Sequence, residues 1–381
     1  MPFETEPEAL TPVSLKTTPL DLLNKALGGR MVSFAGWSMP VQFSAGVLAE
    51  HLHCRADGSA ALFDVSHMGQ ASLHGTAAAA ALEALVPGDI QGLQPGRQRY
   101  TVLTNERGGI IDDLMVARLA PDRLFLVVNA SRRDIDLPHI ESHLPAGVTL
   151  ERHDDRALLA LQGQGAASVM ARLAPAAVSL PFMGAASVTV AGFDCLVSRS
   201  GYTGEDGFEI SVADHQADRL ARCLLDRPEV LPAGLGARDS LRLEAGLCLY
   251  GHDIDELTTP VEAGIAWVVG RRRRADWAFP GGEAIRDQMR RGCARRLVGI
   301  LPEGRAPARA GTTIVAADGS PAGEVTSGGF GPSLNAPIAM GYVRRDLTAP
   351  GTALRLNVRG RWLPAHVVAL PFVPHSYLRP A

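Results

Sequence analysis

Two adjacent aspartates, Asp112 and Asp113, interrupt an otherwise apolar strand predicted over 110–116. A Gly-Gly turn at 108–109 separates this strand from the apolar run 100–104, so the pattern predicts a β-hairpin. Side chains alternate across a strand, which places the two carboxylates on opposite faces. A carboxylate in apolar surroundings is costly unless it is paired or hydrogen-bonded. At least one aspartate therefore needs a partner or has a chemical task, unless both lie solvated near the end of the hairpin.

A second group of polar residues lies in a glycine-rich loop and the strand that follows it, Ser200–Ile210. Its three glycines allow the backbone to approach a ligand closely, and Tyr202 projects from the loop. In the predicted strand, Glu209 faces away from its apolar neighbours Phe208 and Ile210. A tyrosine and an isolated carboxylate beside such a loop suit a flat heterocycle with polar edges. The alternative is a tight hairpin in which Tyr202 is a packing residue.

Two arginines, Arg238 and Arg242, lie four residues apart in a helix predicted over 233–247. Like charges at this spacing mildly destabilise a helix, so the pair needs an anion. An internal carboxylate, Asp239 or Glu244, can supply it. Alternatively, arginine can bind a ligand carboxylate through two hydrogen bonds.

A denser arginine group comprises Arg271–Arg274, Arg290, Arg291, Arg295 and Arg296, although the whole chain has a net charge of −3. A solvated face is the common explanation for a run of like charge. The alternatives are a docking surface for an acidic partner and a site for the polyanionic tail of a ligand. Aromatic residues do not alternate with these arginines, which argues against nucleic acid as a partner.

The bulk composition is typical of a globular protein with two or three domains: 381 residues, 46% apolar and 20% charged. Five widely spaced cysteines without a C-x-x-C pair disfavour disulfides and a zinc site, so no metal is expected. No apolar run approaches the roughly 20 residues that span a bilayer. The first fourteen residues are acidic and proline-rich, unlike a targeting segment. We therefore expect a cytoplasmic protein without a membrane partner.

The apolar periodicity predicts elements of both kinds before residue 250. Helices are predicted at 20–29, 46–57, 76–86, 131–143, 164–173, 214–226 and 233–247. Strands are predicted at 99–105, 110–119, 123–129, 157–161, 187–191, 194–199 and 207–212. Hairpins that alternate with packing helices indicate an α+β fold rather than a doubly wound sheet. The segment Gly163–Ser168 lacks the parallel βαβ unit that a dinucleotide site requires.

The C-terminal part has a different texture, in which short β-rich runs alternate with Gly/Pro turns as in a small barrel or sandwich. These runs lie at 296–301, 312–316, 322–327, 338–343, 352–358 and 362–370. The basic and polar stretch 271–294 is interpreted as a boundary. We therefore predict an α+β region over 15–270 and a β-rich barrel domain over 295–376.

Several long strings resemble one family over nearly the whole chain after residue 14. They are Leu15–Leu20, Met31–Gln42, Leu62–Gln70, Gly108–Asp113, Ser200–Glu209, Gly236–Gly246 and Pro371–Val373. On these strings the chain resembles the aminomethyltransferase family, the T proteins of the glycine cleavage system. Folate-dependent demethylases share the fold but need not share the two N-terminal strings. Iron–sulfur assembly factors with this fold carry a K-x-C-Y-x-G-Q-E motif, which the surroundings of Cys293 do not match.

The resemblance implies a three-lobed molecule, two α+β lobes and a C-terminal β-barrel-like lobe around a central folate site. It implies transfer of the methylene carbon of the aminomethyl-dihydrolipoyl H protein to tetrahydrofolate, the cosubstrate. Ammonia is released and 5,10-methylenetetrahydrofolate forms. The essential aspartate of the family matches Asp113, thirteen positions after Tyr100. The residues implied to bind tetrahydrofolate are Tyr100, Asp113, Asn129, Tyr202, Glu209 and Arg238.

The residue types at these positions suit the implied chemistry. A pterin presents an amino group and a ring N–H side by side, which both oxygens of Glu209 can accept. A fixed carboxylate near the folate nitrogens, Asp113, can stabilise positive charge or take up a proton. The run Arg271–Arg274 is expected to help dock the acidic H protein. Phe182 stands where some members carry a tyrosine, so a hydroxyl contact is expected to be lost there.

Overall fold

The computed structural model of the chain describes residues 14–378. The acidic, proline-rich start, on which the prediction about a targeting segment rests, lies outside these residues apart from Ser14. Within the described range, no helix has the length and hydropathy that crossing a membrane requires.

Helices and strands alternate along residues 14–378. The helices are α1 (Asp21–Ala26), α2 (Gly46–Arg55), α3 (Ala78–Glu83), α4 (Arg133–Ser142), α5 (Ala166–Leu173), α6 (Pro175–Val178), α7 (Asp214–Leu225), α8 (Leu235–Glu244), α9 (Arg273–Asp276) and α10 (Gly282–Arg291). The strands are β1 (Lys16–Thr17), β2 (Arg30–Phe34), β3 (Trp37–Gln42), β4 (Ala60–Asp64), β5 (Gly69–His74), β6 (Arg97–Thr104), β7 (Ile110–Ala120), β8 (Arg123–Val128), β9 (Thr149–Arg152), β10 (Arg156–Gln162), β11 (Ala185–Val190), β12 (Phe193–Ser198), β13 (Gly207–Ala213), β14 (Val230–Pro232), β15 (Arg295–Pro302), β16 (Thr313–Ala316), β17 (Pro321–Gly331), β18 (Ala336–Arg344), β19 (Ala353–Val358) and β20 (Arg361–Val368). Every helix and strand predicted from the sequence is present, with ends that differ by a few residues.

The first lobe is built on a five-stranded sheet of order β6-β7-β8-β5-β9. Strands β6 and β7 form the predicted hairpin, in which Leu103 lies opposite Asp112 and Val102 lies opposite Asp113. The face that carries Leu103 and Leu114 packs against α3 and α4 in an apolar core. The opposite face, with Asp113, borders a cavity at the centre of the molecule. The strand alternation therefore separates the two aspartates as predicted.

The second lobe is built on a six-stranded sheet of order β11-β12-β13-β10-β4-β14. Helices α5 and α7 cover one face, on which Phe208 is buried, and α2 and α8 cover the other, on which Phe63 is buried. Strand β4 precedes the first lobe in the sequence but pairs with β10. The two lobes are therefore interleaved rather than consecutive. A small third sheet, β1-β3-β2, completes the N-terminal region.

Strands β4 and β5 are absent from the sequence predictions because their burial removes the alternating pattern. All five residues of β4 are buried, and five of the six in β5 are buried as well. A strand covered on both faces shows no polar–apolar period of two.

The C-terminal lobe is a closed six-stranded barrel of order β15-β18-β17-β16-β19-β20. Its interior contains Ile314, Val343 and Leu356. All six β-rich runs predicted from the sequence become strands of this barrel. The α+β class with a C-terminal barrel is thus confirmed, whereas the limits 15–270 and 295–376 stay predictions.

The arginine run at 271–274 is not the uniform solvated patch that the sequence suggested. Arg273 is buried, and its guanidinium donates to the carbonyl oxygens of Glu83 at 2.7 Å, Val86 at 3.3 Å and Ala278 at 2.7 Å. Arg272 forms ion pairs with the carboxylates of Glu83 and Asp89. These two arginines therefore fasten the segment after α8 to the first lobe, because Glu83, Val86 and Asp89 lie at the end of α3 or shortly after it.

We expect Arg273→Ala to lower the free energy of unfolding by about 2–4 kcal/mol, because three carbonyl groups lose their donor. Urea unfolding measures the change. The matched control is Arg271→Ala, which removes an exposed side chain of the same run and should change stability by no more than about 0.5 kcal/mol. Equal unfolding midpoints for the two variants would contradict the anchoring role of Arg273.

Candidate functional site

A cavity of about 1290 Å³ lies where the three lobes meet. We call it the central cavity. The first lobe lines it with Asp113, the second with Glu209 and the barrel with Val298 and Ser327. All six residues that the family resemblance implied border this cavity: Tyr100, Asp113, Asn129, Tyr202, Glu209 and Arg238. Residues 14–378 contain no group of three or more His, Cys, Asp or Glu side chains placed to hold a metal ion.

Asn129 connects the two aspartates of the hairpin. It follows β8, the strand beside β7, and its side-chain amide donates to Asp112 Oδ1 at 2.9 Å and to Asp113 Oδ1 at 2.7 Å. Its backbone N–H donates to Asp112 Oδ2 at 3.1 Å. One residue thus satisfies both carboxyl groups, although they leave the strand in opposite directions. Neither aspartate is simply solvated at the hairpin end, because Asp112 is completely buried and Asp113 is partly covered.

Asp113 is poised to change its protonation state near neutral pH. Burial is the main cause that raises the pKa of its carboxyl to about 7, and negative charge on Asp112 acts in the same direction. Hydrogen bonds from Asn129 and from the Tyr100 hydroxyl oppose this shift. Tyr100 reaches the carboxyl diagonally across the hairpin, since it lies opposite Met115, two residues from Asp113 on the same face. Asp113 can therefore hold a proton or stabilise a positive charge.

Glu209 projects toward the central cavity from β13. Its neighbours Phe208 and Ile210 are completely buried in the core of the second lobe, so the alternation predicted from the sequence holds. The hydroxyl of Ser200 donates to Glu209 Oε2 at 2.7 Å and orients the carboxylate. Glycine is required at position 201, because a Cβ atom there would overlap the side chain of Gln162. The glycine-rich loop thus fits tightly against β10 beside the cavity.

Arg238 presents an unused hydrogen-bond donor to the central cavity. Its guanidinium lies over the ring of Tyr202, with Cζ 4.8 Å from the ring centroid. The Tyr202 hydroxyl donates to the backbone oxygen of Cys248, which fixes the ring. Arg238 Nη1 is buried and has no hydrogen-bond partner among residues 14–378. Burial lowers the pKa of Arg238, and the charge of Glu209 opposes this. A buried donor without an acceptor indicates a ligand site.

Arg242, the other arginine of α8, has an internal role. Its guanidinium forms ion pairs with Asp253 at 2.8 Å and Asp239 at 2.8 Å, and it donates to the Ser327 hydroxyl at 3.0 Å. The internal anion that the sequence suggested is therefore supplied by Asp239 and Asp253. Glu244, the other carboxylate considered, bonds instead to His51 at 3.0 Å. Of the two arginines, only Arg238 is left for a ligand.

Three residues of the cavity wall were not predicted as binding residues. The sequence analysis assigned no role to His67 or Trp267 and predicted only the loss of a hydroxyl contact at Phe182. His67 is 3% exposed, its Nδ1 has no partner among residues 14–378, and burial together with Arg238 lowers its pKa to about 3. Trp267 is 62% exposed, and its ring centroid lies 5.5 Å from that of Tyr100. Phe182 stacks on Tyr377 at 4.3 Å. His67 lies in the family-like string Leu62–Gln70, but nothing in that string predicted that its imidazole borders a cavity.

Two family models cover most of the chain. The GCVT N-terminal domain matches residues 21–273, and the glycine cleavage T-protein C-terminal barrel domain matches residues 295–374. The chain belongs to the glycine cleavage T-protein family. This membership confirms the resemblance inferred from the sequence, as well as the predicted enzyme class.

Curated T-protein relatives and a solved structure are similar over almost their full length. The mitochondrial aminomethyltransferase of Gallus gallus is 50% identical, with 96% of this chain and 94% of the relative covered. That of Flaveria trinervia is 48% identical, with 96% and 92% covered. The crystal structure of the glycine cleavage system aminomethyltransferase T from Bartonella henselae superimposes with a TM-score of 0.91 at 42% identity. That match covers 96% of this chain and all of the other.

Proposed function

We propose that this T protein is the aminomethyltransferase of a glycine cleavage system and that Asp113 is its catalytic carboxylate. It transfers the methylene carbon of the aminomethyl-dihydrolipoyl H protein to tetrahydrofolate, with release of ammonia and formation of 5,10-methylenetetrahydrofolate. The observation that carries the proposal is the central cavity, where a desolvated carboxyl, a second carboxylate and an arginine with a free donor converge. Their chemistry matches a folate cosubstrate.

The cavity wall offers a partner for each polar part of a folate. Glu209 can accept the adjacent amino and ring N–H groups of a pterin with its two oxygens, one of which Ser200 already orients. Arg238 Nη1 needs an acceptor, which a pterin oxygen or a glutamate carboxylate can supply. Tyr100, Tyr202 and Asn129 border the same space. The fit rests on two groups that a ligand would satisfy: Arg238 Nη1, which has no acceptor among residues 14–378, and the carboxylate of Glu209, one oxygen of which Ser200 contacts.

Asp113 supplies the acid–base and electrostatic function. As ammonia leaves, nitrogen must gain a proton and positive charge develops near the transferred carbon. Asp113 can stabilise that charge as a carboxylate or move a proton through its Oδ atoms. Asn129 and Tyr100 hold its carboxyl without neutralising it. The low polarity of the surroundings strengthens the interaction, since screening by water is reduced.

The H protein must deliver its lipoyl arm to this cavity, and part of the predicted arginine group remains available to attract it. Arg271, Arg290 and Arg296 are exposed, and Arg296 also borders the central cavity. Arg273 is buried, and the exposed Arg272 is already paired with the carboxylates of Glu83 and Asp89, so we do not include these two residues in the docking surface. A cytoplasmic location and the exclusion of nucleic acid and membrane partners stay predictions from the sequence.

We expect Asp113→Asn to lower turnover by at least roughly 10²-fold while the fold and folate binding persist, because the isosteric amide cannot take up the proton or charge. The assay is ammonia release from aminomethylated H protein with tetrahydrofolate. Asp112→Asn, the neighbouring change on the opposite face, is the matched control. Near-normal turnover in Asp113→Asn with an inactive Asp112→Asn would reverse the assignment.

The dependence of kcat/KM for tetrahydrofolate on pH should report the ionisation of Asp113 in the free enzyme. Burial raises the pKa of this carboxyl to about 7, so the active carboxylate is present above that pH and lost as the pH falls through it. We expect an acidic limb with a midpoint near this value. A midpoint near about 4, the ordinary value for aspartate, would contradict the desolvation of Asp113.

We expect Glu209→Gln to weaken tetrahydrofolate binding by about 1–3 kcal/mol. The amide group replaces one accepting carboxylate oxygen with an N–H group, which cannot accept a hydrogen bond from a pterin N–H. Titration calorimetry measures the affinity directly. Glu324→Gln, which changes an exposed carboxylate on β17 of the barrel, is the control and should bind like the unaltered protein. Unchanged affinity in Glu209→Gln would remove this residue from the site.

A further inference from the structure

A buried carboxyl behind the central cavity has no part in the proposed chemistry. Asp136 lies in the first turn of α4 and is completely buried. Neither of its side-chain oxygens accepts a hydrogen bond from a donor group among residues 14–378. A buried carboxyl without a donor is strongly destabilising unless a proton or a charge compensates it.

The neighbour of Asp136 is another carboxyl group, that of Asp112, and the two are in hydrogen-bonding contact. Two carboxylates cannot bond to each other, because each is only an acceptor. One of them must therefore carry a proton and donate it to the other. Burial raises the pKa of Asp136 to about 7 and that of Asp112 well above its ordinary value.

The surroundings assign the proton to Asp112. Asp136 lies at a helix N-terminus, which favours negative charge, and the cation of Arg132 also favours its ionised form. Glu256, which pairs with Arg132 at 2.7 Å, opposes this. Asp112 faces no cation of comparable effect. Burial and Asp136 raise its pKa, and the two hydrogen bonds from Asn129 oppose this rise without cancelling it. The charge of Asp113 also opposes the ionisation of Asp136, and Tyr250, over which Arg132 lies, is a further titratable neighbour.

The protonation of Asp112 bears directly on Asp113. The side-chain amide of Asn129 lies between the two aspartates and donates to both. A charged Asp112 would oppose the ionisation of Asp113, its chain neighbour, because like charges in a desolvated region repel strongly. A neutral Asp112 removes that repulsion and leaves burial as the main cause of the raised pKa of Asp113, while Asn129 continues to donate to both side chains.

We propose that Asp136 is a positioning residue that keeps Asp112 protonated, so that Asp113 can carry its charge beside a neutral neighbour. The expected effect on turnover rests on the proposed function of Asp113 as the catalytic carboxylate. The shared proton itself depends only on the geometry of Asp112 and Asp136. The two parts can therefore be tested separately.

Infrared spectroscopy of the unliganded protein tests the proton. At about pH 8.5, above the pKa of ordinary carboxyls and of Asp113, a buried protonated carboxyl should still give a C=O band. We expect this band to disappear in Asp112→Asn and in Asp136→Asn, because an amide at position 136 donates to Asp112 and allows it to ionise. Asp134→Asn, an exposed carboxylate on the same helix, is the control and should keep the band. A band that persists in Asp112→Asn overturns the proposal.

The pH profile tests the consequence for Asp113. Asp136→Asn should raise the midpoint of the acidic limb of kcat/KM by at least about one pH unit, because Asp112 becomes charged. Asp112→Asn should keep the original midpoint, because its amide imitates the neutral donor. Asp112→Asn tests the proposal even if Asp136→Asn fails to fold. If Asp112 were charged in the unaltered protein, Asp112→Asn would remove that charge and lower the midpoint. A merely structural Asp136 would lower stability and leave the midpoint unchanged, which would refute the proposal.

Failure of the proposed function gives a different result. The infrared band would then respond to Asp112→Asn and Asp136→Asn as described, while aminomethylated H protein released no ammonia with tetrahydrofolate. That outcome would refute the aminomethyltransferase assignment and support the shared proton.

Discussion

The desolvation of two adjacent carboxyl groups in strand β7 is the constraint on which the site depends. Neither Asp112 nor Asp113 can stay in the interior without donors, and the structure supplies them from Asn129 at the end of the next strand. The antiparallel pairing of β7 with β8 brings that residue into reach. The buried face and the cavity face of the hairpin are thus coupled through one side-chain amide, because its removal leaves a carboxyl on each face without this donor.

The cavity is as much a product of the contacts between lobes as of any single lobe. Arg242 connects α8 of the second lobe to Ser327 of the barrel, and Tyr342 of the barrel donates to the backbone oxygen of Asp253 at 2.6 Å. These buried polar contacts hold the barrel against α8 and the segment that follows it. Since the cavity wall draws on all three, its dimensions depend on interactions that lie outside it, and Arg238 keeps its free donor because Arg242 takes the internal anions.

The arginine run at 271–274 illustrates the limits of interpreting charge from sequence. Four identical residues in succession carry no local signal that separates a solvated side chain from a buried one. Burial of Arg273 depends on carbonyl oxygens of Glu83 and Val86, almost two hundred residues earlier in the chain. The accounts that the sequence left open, a solvated face or a binding surface, both omitted the structural role that half of the run has.

The sequence by itself determined the class of fold, the family and the composition of the site. Local periodicity predicted the hairpin, the glycine-rich strand and all six barrel strands, since each depends on neighbours within a few residues. The family resemblance implied Tyr100, Asp113, Asn129, Tyr202, Glu209 and Arg238, which the structure brings to one cavity. Only the tertiary structure decided the pairing of β4 with β10, the separate roles of Arg238 and Arg242, and the contact between Asp112 and Asp136. These features arise from long-range contacts and from desolvation, and neither produces a periodic pattern in the amino-acid sequence.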